Sequence, residues 1–319
     1  MTTAYTAKRI PYLDTAKGIL ILLMLLGHIW NDGIVHDFIY AFHMPAFFVI
    51  SGMLLNHSSS LKKSFFQNLL EKALRFLIPC LCFEIPGIAA NILQHGVTLN
   101  IKGYMFEVFS LHLYNGPSWF LVVMFYCQML CSAIMRLTNR KNVVLAVLFA
   151  LVLILPKFIS YISISTTVLG LFFLILGLSY EDFFIMESRF HILFWIALFI
   201  TGLSSWNDVD MVNYQDGSRI LFIVGALSGT YAILHLSRNA YINLLNYFGK
   251  NSLIILGSHH PILIATKHIL GIEEFSILGG ICFFVILLII EIPLIEIVNR
   301  WLPFVAGKKI AFQNKPHFD

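Results

Sequence analysis

"LDTAKGILILLMLLGHIW" runs from Leu13 to Trp30. It has the length and apolar character of a helix that crosses a bilayer, which takes about 20 residues. Yet Lys17 stands near one end and His28 near the other. In a helix, positions 17 and 28 are about three turns apart, on one face and separated by about 16 Å along the axis. A lysine at the edge of the lipid can snorkel to water, and a histidine can bond a neighbouring helix. The other reading is that both face an internal cavity, as ionisable groups inside membrane segments usually do. This segment by itself leaves both open.

The rest of the chain has the same character. Of 319 residues, 58% are hydrophobic and 12% charged, with 29 Phe and a mean hydropathy of +0.82. Soluble domains carry about 25% charged residues, so this is a polytopic membrane protein. Ten apolar stretches lie near residues 12–30, 40–55, 76–94, 118–135, 143–156, 165–180, 190–206, 219–236, 252–268 and 277–298. Lipid offers the backbone no hydrogen bonds, so each should be helical. With the N-terminus placed in the cytoplasm, 17 of the 21 Lys and Arg fall on the cytoplasmic side. The outer side keeps Lys102, Lys157, Arg219 and Lys267, and collects Asp32, Asp37, Asp208, Asp210 and Asp216. That bias follows the positive-inside rule, and one helix fewer would invert every later loop. The expectation is an all-α bundle of about ten transmembrane helices, with N- and C-termini cytoplasmic, forming a single domain over residues 1–319.

Other classes find less support. Lys8 and Arg9 resemble the start of a signal peptide, but no small-residue cleavage site follows Trp30, so the first segment is read as retained. The cysteines Cys80, Cys82, Cys127, Cys131 and Cys282 all sit in apolar runs, which argues against a disulfide framework. Cys127 and Cys131 are one turn apart without a further ligand motif; they read as core, and no metal is expected. The net charge of +4 is spread among loops, whereas nucleic-acid binding needs a concentrated basic footprint.

Several polar residues interrupt the spans. "FHMPAFFVISG" (42–52) places His43 near the outer end of the second helix, where Pro45 can bend it; a short loop lets His43 approach His28. "EKALRFLIP" (71–79) puts Lys72 and Arg75 on one helical face at the cytoplasmic boundary. They serve there as ordinary anchors or, with Lys17, as a basic mouth for phosphates. "NGPSWFLVVMFY" (115–126) opens the fourth helix, with Pro117 in its first turn and Trp119 at the interface. "FGKNSLIILGSHHPIL" (248–263) carries Asn251, Ser252, His259, His260 and Pro261. "IIEIPLIEIV" (289–298) carries Glu291 and Glu296. These two acids and Glu84 read first as partners for buried Lys, Arg or His. The outer connection from His95 to Pro117 has room for a re-entrant or lid segment at most.

In order, these motifs resemble the acyltransferase-3 superfamily of integral membrane acyltransferases, and the resemblance covers essentially the whole chain. Its first-helix pattern, D-x-x-(R/K)-G-I followed by a histidine with ten residues between the cation and the histidine, is similar to Asp14, Lys17, Gly18, Ile19 and His28. "FHMPAFFVISG" resembles the second helix of the branch that includes fucose 4-O-acetylase-like proteins. "KALR" resembles the basic pair before the third helix. "SWFL", "GKNSLIIL…HHP" and Glu291–Pro293 resemble motifs of helices four, nine and ten. Lys17 and Lys72 stand where arginine is frequent; they keep the charge but lose the bidentate fork.

The resemblance implies transfer of an acetyl group from cytoplasmic acetyl-CoA, a co-substrate, to a hydroxyl of a cell-envelope polysaccharide or lipid-linked sugar. It places the protein, surrounded by membrane lipid, in the inner membrane of a bacterial cell. Lys17, Lys72 and Arg75 would hold the donor phosphates. A neutral imidazole suits proton abstraction from a sugar hydroxyl near pH 7, so His28 would be the general base or a transient acyl carrier; Asp14 and His43 would complete the catalytic set, Asp14 by orienting Lys17 and His43 at the outer end beside the acceptor, with His259 a second candidate for acid/base or structural work. Asn115, Ser118, Trp119, His259 and Glu291 would meet the acceptor or complete the site. A different class of function stays open on composition alone: a transporter or flippase of a glycan or small solute, handling protons through His28 and Glu291. Oligomeric state, a homo-oligomer included, is open as well.

Overall fold

The computed structural model describes residues 9–95, 101–157, 161–185, 191–207, 210–212, 217–239 and 242–308. Lys8, Arg189, Asp208, Asp216, Lys309 and Lys315 of the charge count, both chain ends, and the side chains of Lys102 and Lys157 lie outside that description. Among the described residues there are helices and no strands. In chain order they are α1 (Pro11–Ile29), α2 (Gly33–Tyr40), α3 (His43–Asn56), α4 (Phe65–Lys72), α5 (Ile78–His95), α6 (Ile101–Phe109), α7 (Trp119–Leu137), α8 (Lys141–Ile154), α9 (Ile162–Ser179), α10 (Glu181–Phe184), α11 (His191–Ser204), α12 (Arg219–Asn239), α13 (Asn243–Lys250), α14 (Ser252–Leu270) and α15 (Ile277–Trp301).

Seven of the expected stretches form helices long and apolar enough to cross a membrane: α1, α2 with α3, α7 with its leading turn, α9, α12, α14 and α15. The other three are also helical. Of these, α8 and α11 have 14 residues each, about 21 Å of helix against a hydrocarbon core of about 30 Å, and α5 has 18.

The first segment is the centre of the bundle rather than a lipid-facing helix. Leu13, Leu20, Ile21 and Leu25 are fully buried, and α1 packs against α3, α12, α13, α14 and α15. Close approach to α13 is possible because both helices present glycine at the crossing. A Cβ on Gly18 would collide with the Leu245 carbonyl oxygen, and one on Gly249 with the Asp14 carbonyl oxygen. Small residues that let backbones meet are the usual glue of membrane helices.

Prolines set the irregularities. The second span runs from Gly33 to Asn56 and breaks at Ala41–Phe42, earlier than Pro45 itself. Pro45 has no N–H for the carbonyl four residues back, which is Ala41, and its ring crowds that group; the helix restarts at His43. Ahead of α5, Pro79 cannot bond the Arg75 carbonyl, and the backbone widens into a π turn over Ala73–Leu77. In α14, Pro261 lies inside the helix and leaves the Gly257 carbonyl without its helical donor. The Asn115 side chain supplies one: its Nδ2 donates to Gly257 O at 2.8 Å.

The connection between α5 and α7 forms α6 and a turn clamped by Glu84. Glu84 accepts from Tyr114 N–H at 2.8 Å, Asn115 N–H at 3.1 Å and the Tyr104 hydroxyl at 3.2 Å. Glu291 accepts from Ser258 at 2.6 Å and Glu296 from Tyr247 at 2.8 Å. The expectation of cationic partners for these acids is therefore corrected: among the described residues, hydroxyls and backbone N–H groups take that role. The five cysteines are free thiols, and Cys127 donates to the Thr167 carbonyl within the core.

Candidate functional site

Two cavities lie along one face of α1. The larger, of about 940 Å³, is lined on that helix by Asp14, Lys17 and Ile21. The smaller, of about 150 Å³, is lined by Met24 and His28. Positions 14, 17, 21, 24 and 28 follow the spacing of a single helical stripe, so the face predicted from the sequence is one continuous wall. Leu256 of α14 lines both cavities.

The larger cavity is cationic. Arg9, Lys17, Lys72, Arg75, Lys250 and Lys308 line it against two acids, Asp14 and Glu71. Both acids have cationic partners: Asp14 pairs with Lys17 at 2.7 Å and Glu71 with Lys63 at 2.6 Å. The three cations expected to form one mouth are thus brought together, and three unforeseen ones join them. Lys72, in α4 outside the membrane-spanning helices, is only 6% exposed. Burial, with Arg75 beside it, pulls its ammonium down to about 7. An anion docking there would restore the charge. Deeper in, the walls turn apolar with Phe47, Ile50, Phe120, Leu121 and Met124. The volume stands at the top of the usual range of ligand clefts, about 300–1,000 Å³. Cations at one end and an apolar bore beyond them fit a phosphorylated molecule with a long apolar arm.

The smaller cavity is a histidine pocket. His28 and His43 line it with Tyr40, Pro117, Trp119, Asp210 and Met211. The His28 ring lies 5.0 Å from that of His259 and 6.2 Å from that of His260, and its Nδ1 is 3.3 Å from the Tyr40 hydroxyl. Two of these rings have a fixed tautomer. Nδ1 of His43 lies 2.8 Å from the Ile39 carbonyl, and Nδ1 of His259 lies 2.9 Å from the Ile255 carbonyl. A carbonyl only accepts, so both Nδ1 atoms carry the proton and each neutral ring keeps its lone pair on Nε2. The Nε2 of His259 is buried without a protein partner, and that ring sits against His28.

The remaining sequence candidates divide. Trp119 lines the histidine pocket, while Asn115 (2% exposed) and Ser118 (0%) are buried behind it. Asn115 acts on the pocket through the α14 backbone, just before His259. Asp14 belongs with Lys17, about 21 Å along α1 from His28. Glu291 is fully buried and holds Ser258, next to His259. Residues not foreseen for the pocket include Tyr40, Asp210, Met211 and Val212 in its lining, and His260 beside His28. Tyr40 was legible in principle, as a polar aromatic one turn before His43; the others depend on which helices meet.

The chain matches a family of acyltransferase domains over residues 10–296. It belongs to the acyltransferase-3 family. Among curated relatives, it is 33% identical over 123 residues to the nodulation protein NolL of Sinorhizobium fredii, covering 34% of this chain and 32% of that protein. It is 40% identical over 80 residues to the NolL of Mesorhizobium japonicum, covering 21% of each. The matched part is thus about a third or less of the length of these relatives. No solved structure matches. The long apolar helices that carry this domain make the chain a multi-pass membrane protein of the acyltransferase-3 family.

Proposed function

We propose that the protein is an O-acetyltransferase that moves an acetyl group from acetyl-CoA to a hydroxyl of a cell-envelope polysaccharide or glycolipid sugar. The observation that carries this reading is the α1 face, which joins a cationic cavity holding Lys17 to a histidine pocket holding His28 in a chain of this family. In this reading residues 1–319 act as one unit of ten spans in the inner membrane of a bacterium, with both ends and the cationic cavity on the cytoplasmic side. The cations that gather around that cavity agree with the positive-inside pattern.

Lys17, Lys72 and Arg75 hold the donor phosphates, and Asp14 aligns Lys17. The acyl thioester reaches His28 past Leu256. The acceptor hydroxyl enters beside Trp119 and His43, with Asn115 and Ser118 shaping that end. The hydroxyl oxygen attacks the thioester carbon as Nε2 of His28 takes its proton. The C–S bond breaks and the thiolate recovers a proton from the imidazolium. For Nε2 to be the base, Nδ1 must carry a hydrogen and donate it to the Tyr40 oxygen. His259 stands as a second acid or base next to His28, and Glu291 steadies its helix through Ser258. Transient acylation of His28 is a variant of the same route.

The test is direct. Purified protein reconstituted in lipid, given acetyl-CoA and an envelope glycan extract, should release free CoA thiol in step with sugar O-acetylation. Movement of the glycan or a solute across the bilayer without thiol release would instead establish a transporter.

A further inference from the structure

The cavity must do more than hold phosphates and an acyl group. Between them a pantetheine thioester carries two secondary amides, each with a donor and an acceptor that lose water on entry. Burying such a group without a partner is costly, so a bore that admits it needs a polar group on its wall.

Among the described residues, the uncharged polar side chains lining the cavity are Ser51, Ser58, Gln67, Gln128 and Ser252. Of these only Gln128 is buried, at 5% exposure. It stands on α7 in line with Leu121 and Met124, whose spacing of three and four residues puts all three on one stripe. Gln128 is nine positions inward of Trp119, about 13 Å along the helix, so it lies between the histidine pocket and the cationic mouth. Its Nε2 donates to the Ser51 hydroxyl at 2.8 Å. Its Oε1 is buried without a protein partner. Were the carboxamide turned over, Ser51 would donate to the oxygen and the nitrogen would be left instead. In both orientations Ser51 anchors one end of the amide and the other end is unpaired.

We propose that Gln128, anchored by Ser51, is the amide-recognition residue of the donor channel and bonds an amide of the pantetheine arm, which selects amide-bearing thioesters over simple ones. This rests on the acetyl-CoA reading above and names a determinant of its donor specificity. A carboxamide complements a secondary amide whichever way it faces, and burial of the side chain makes the bond count.

The experiment compares three acetyl donors on the full-length protein in lipid nanodiscs: acetyl-CoA, acetylpantetheine and S-ethyl thioacetate. Acetylpantetheine keeps both amides and lacks the nucleotide; S-ethyl thioacetate has no amide. Thiol release gives kcat/KM for each. Gln128→Met, close in shape, should lower kcat/KM about tenfold for acetyl-CoA and acetylpantetheine, as loss of one buried hydrogen bond predicts, and leave S-ethyl thioacetate within twofold. An equal fall for all three donors, or no fall for any, would overturn the proposal by assigning Gln128 to packing alone. If Gln128→Met does not give monodisperse protein, Ser51→Ala must show the same donor pattern at about threefold, and its absence overturns the proposal equally. A wild-type protein that releases no thiol from acetyl-CoA or acetylpantetheine would end the acetyl-CoA reading and this inference together.

Discussion

The proline-freed carbonyl of α14 allows a test in which two weak points should cancel. Pro261 removes the N–H that would bond Gly257 O, and Asn115 Nδ2 takes its place at 2.8 Å. The same nitrogen lies 3.3 Å from the Phe83 carbonyl, and Asn115 is 2% exposed, so water does not substitute. Asn115→Ala should leave a buried acceptor unsatisfied, at a cost of about 1–3 kcal/mol. Replacing Pro261 by Ala restores a helical N–H directed at the same carbonyl. In the Pro261→Ala background, Asn115→Ala should therefore cost about 1 kcal/mol less than it does alone. The four proteins would be compared by reversible unfolding in mixed micelles, with SDS as denaturant. Sites that do not share a partner add within about 0.3–0.5 kcal/mol. A cycle that closes additively within that limit would refute the claim that Asn115 serves the carbonyl that Pro261 leaves open.

Other outcomes follow from the same structure. Lys72 titrates near 7 in the folded protein against an ordinary 10.5, so the unfolded chain holds the extra proton between those values and folding stability rises with pH across that window. Donor binding runs the other way, since phosphate needs the charged lysine: acetyl-CoA affinity should fall by up to about tenfold per pH unit above 7, and Lys72→Arg should flatten the curve, as calorimetric titration at several pH values would show. Tyr40→Phe should lower kcat about two- to tenfold, the worth of one neutral hydrogen bond at His28, with KM for acetyl-CoA unchanged. Gly249→Ala, whose Cβ would meet the Asp14 carbonyl, should destabilise by about 3 kcal/mol. Gly202→Ala, with open space around its Cβ, should be neutral or gain up to about 1 kcal/mol of helix propensity; thermal unfolding by intrinsic fluorescence separates the two.

The parts of this molecule legible in its sequence are those that one helix defines by itself. Lys17 and His28 share a stripe because of their spacing, and each lines a cavity on that face; Lys72 and Arg75 line one cavity together although a π turn intervenes between them. The apolar stretches announce helices for the same reason. What depends on two helices meeting was not legible. Gly249 lies more than two hundred positions from the Asp14 carbonyl it must pass, and nothing in either segment names the other. Arg9, Lys250 and Lys308 read as scattered positive-inside charges until the fold gathers them around one cavity. Tyr40 is the intermediate case: its spacing from His43 is readable within one segment, but its approach to His28 depends on the break ahead of Pro45. The acids Glu84 and Glu291 looked like ion-pair members, since the sequence shows their charge but not the N–H and hydroxyl groups that the fold brings to them.

The central claim is that acetyl transfer to an envelope sugar passes through His28. It is tested most directly by NMR of envelope glycans from three strains: a deletion, the deletion complemented with wild-type protein, and the deletion complemented with His28→Ala at equal membrane abundance. The account predicts an O-acetyl signal that is absent in the deletion, restored by wild type and not restored by His28→Ala. Full restoration by His28→Ala would contradict it.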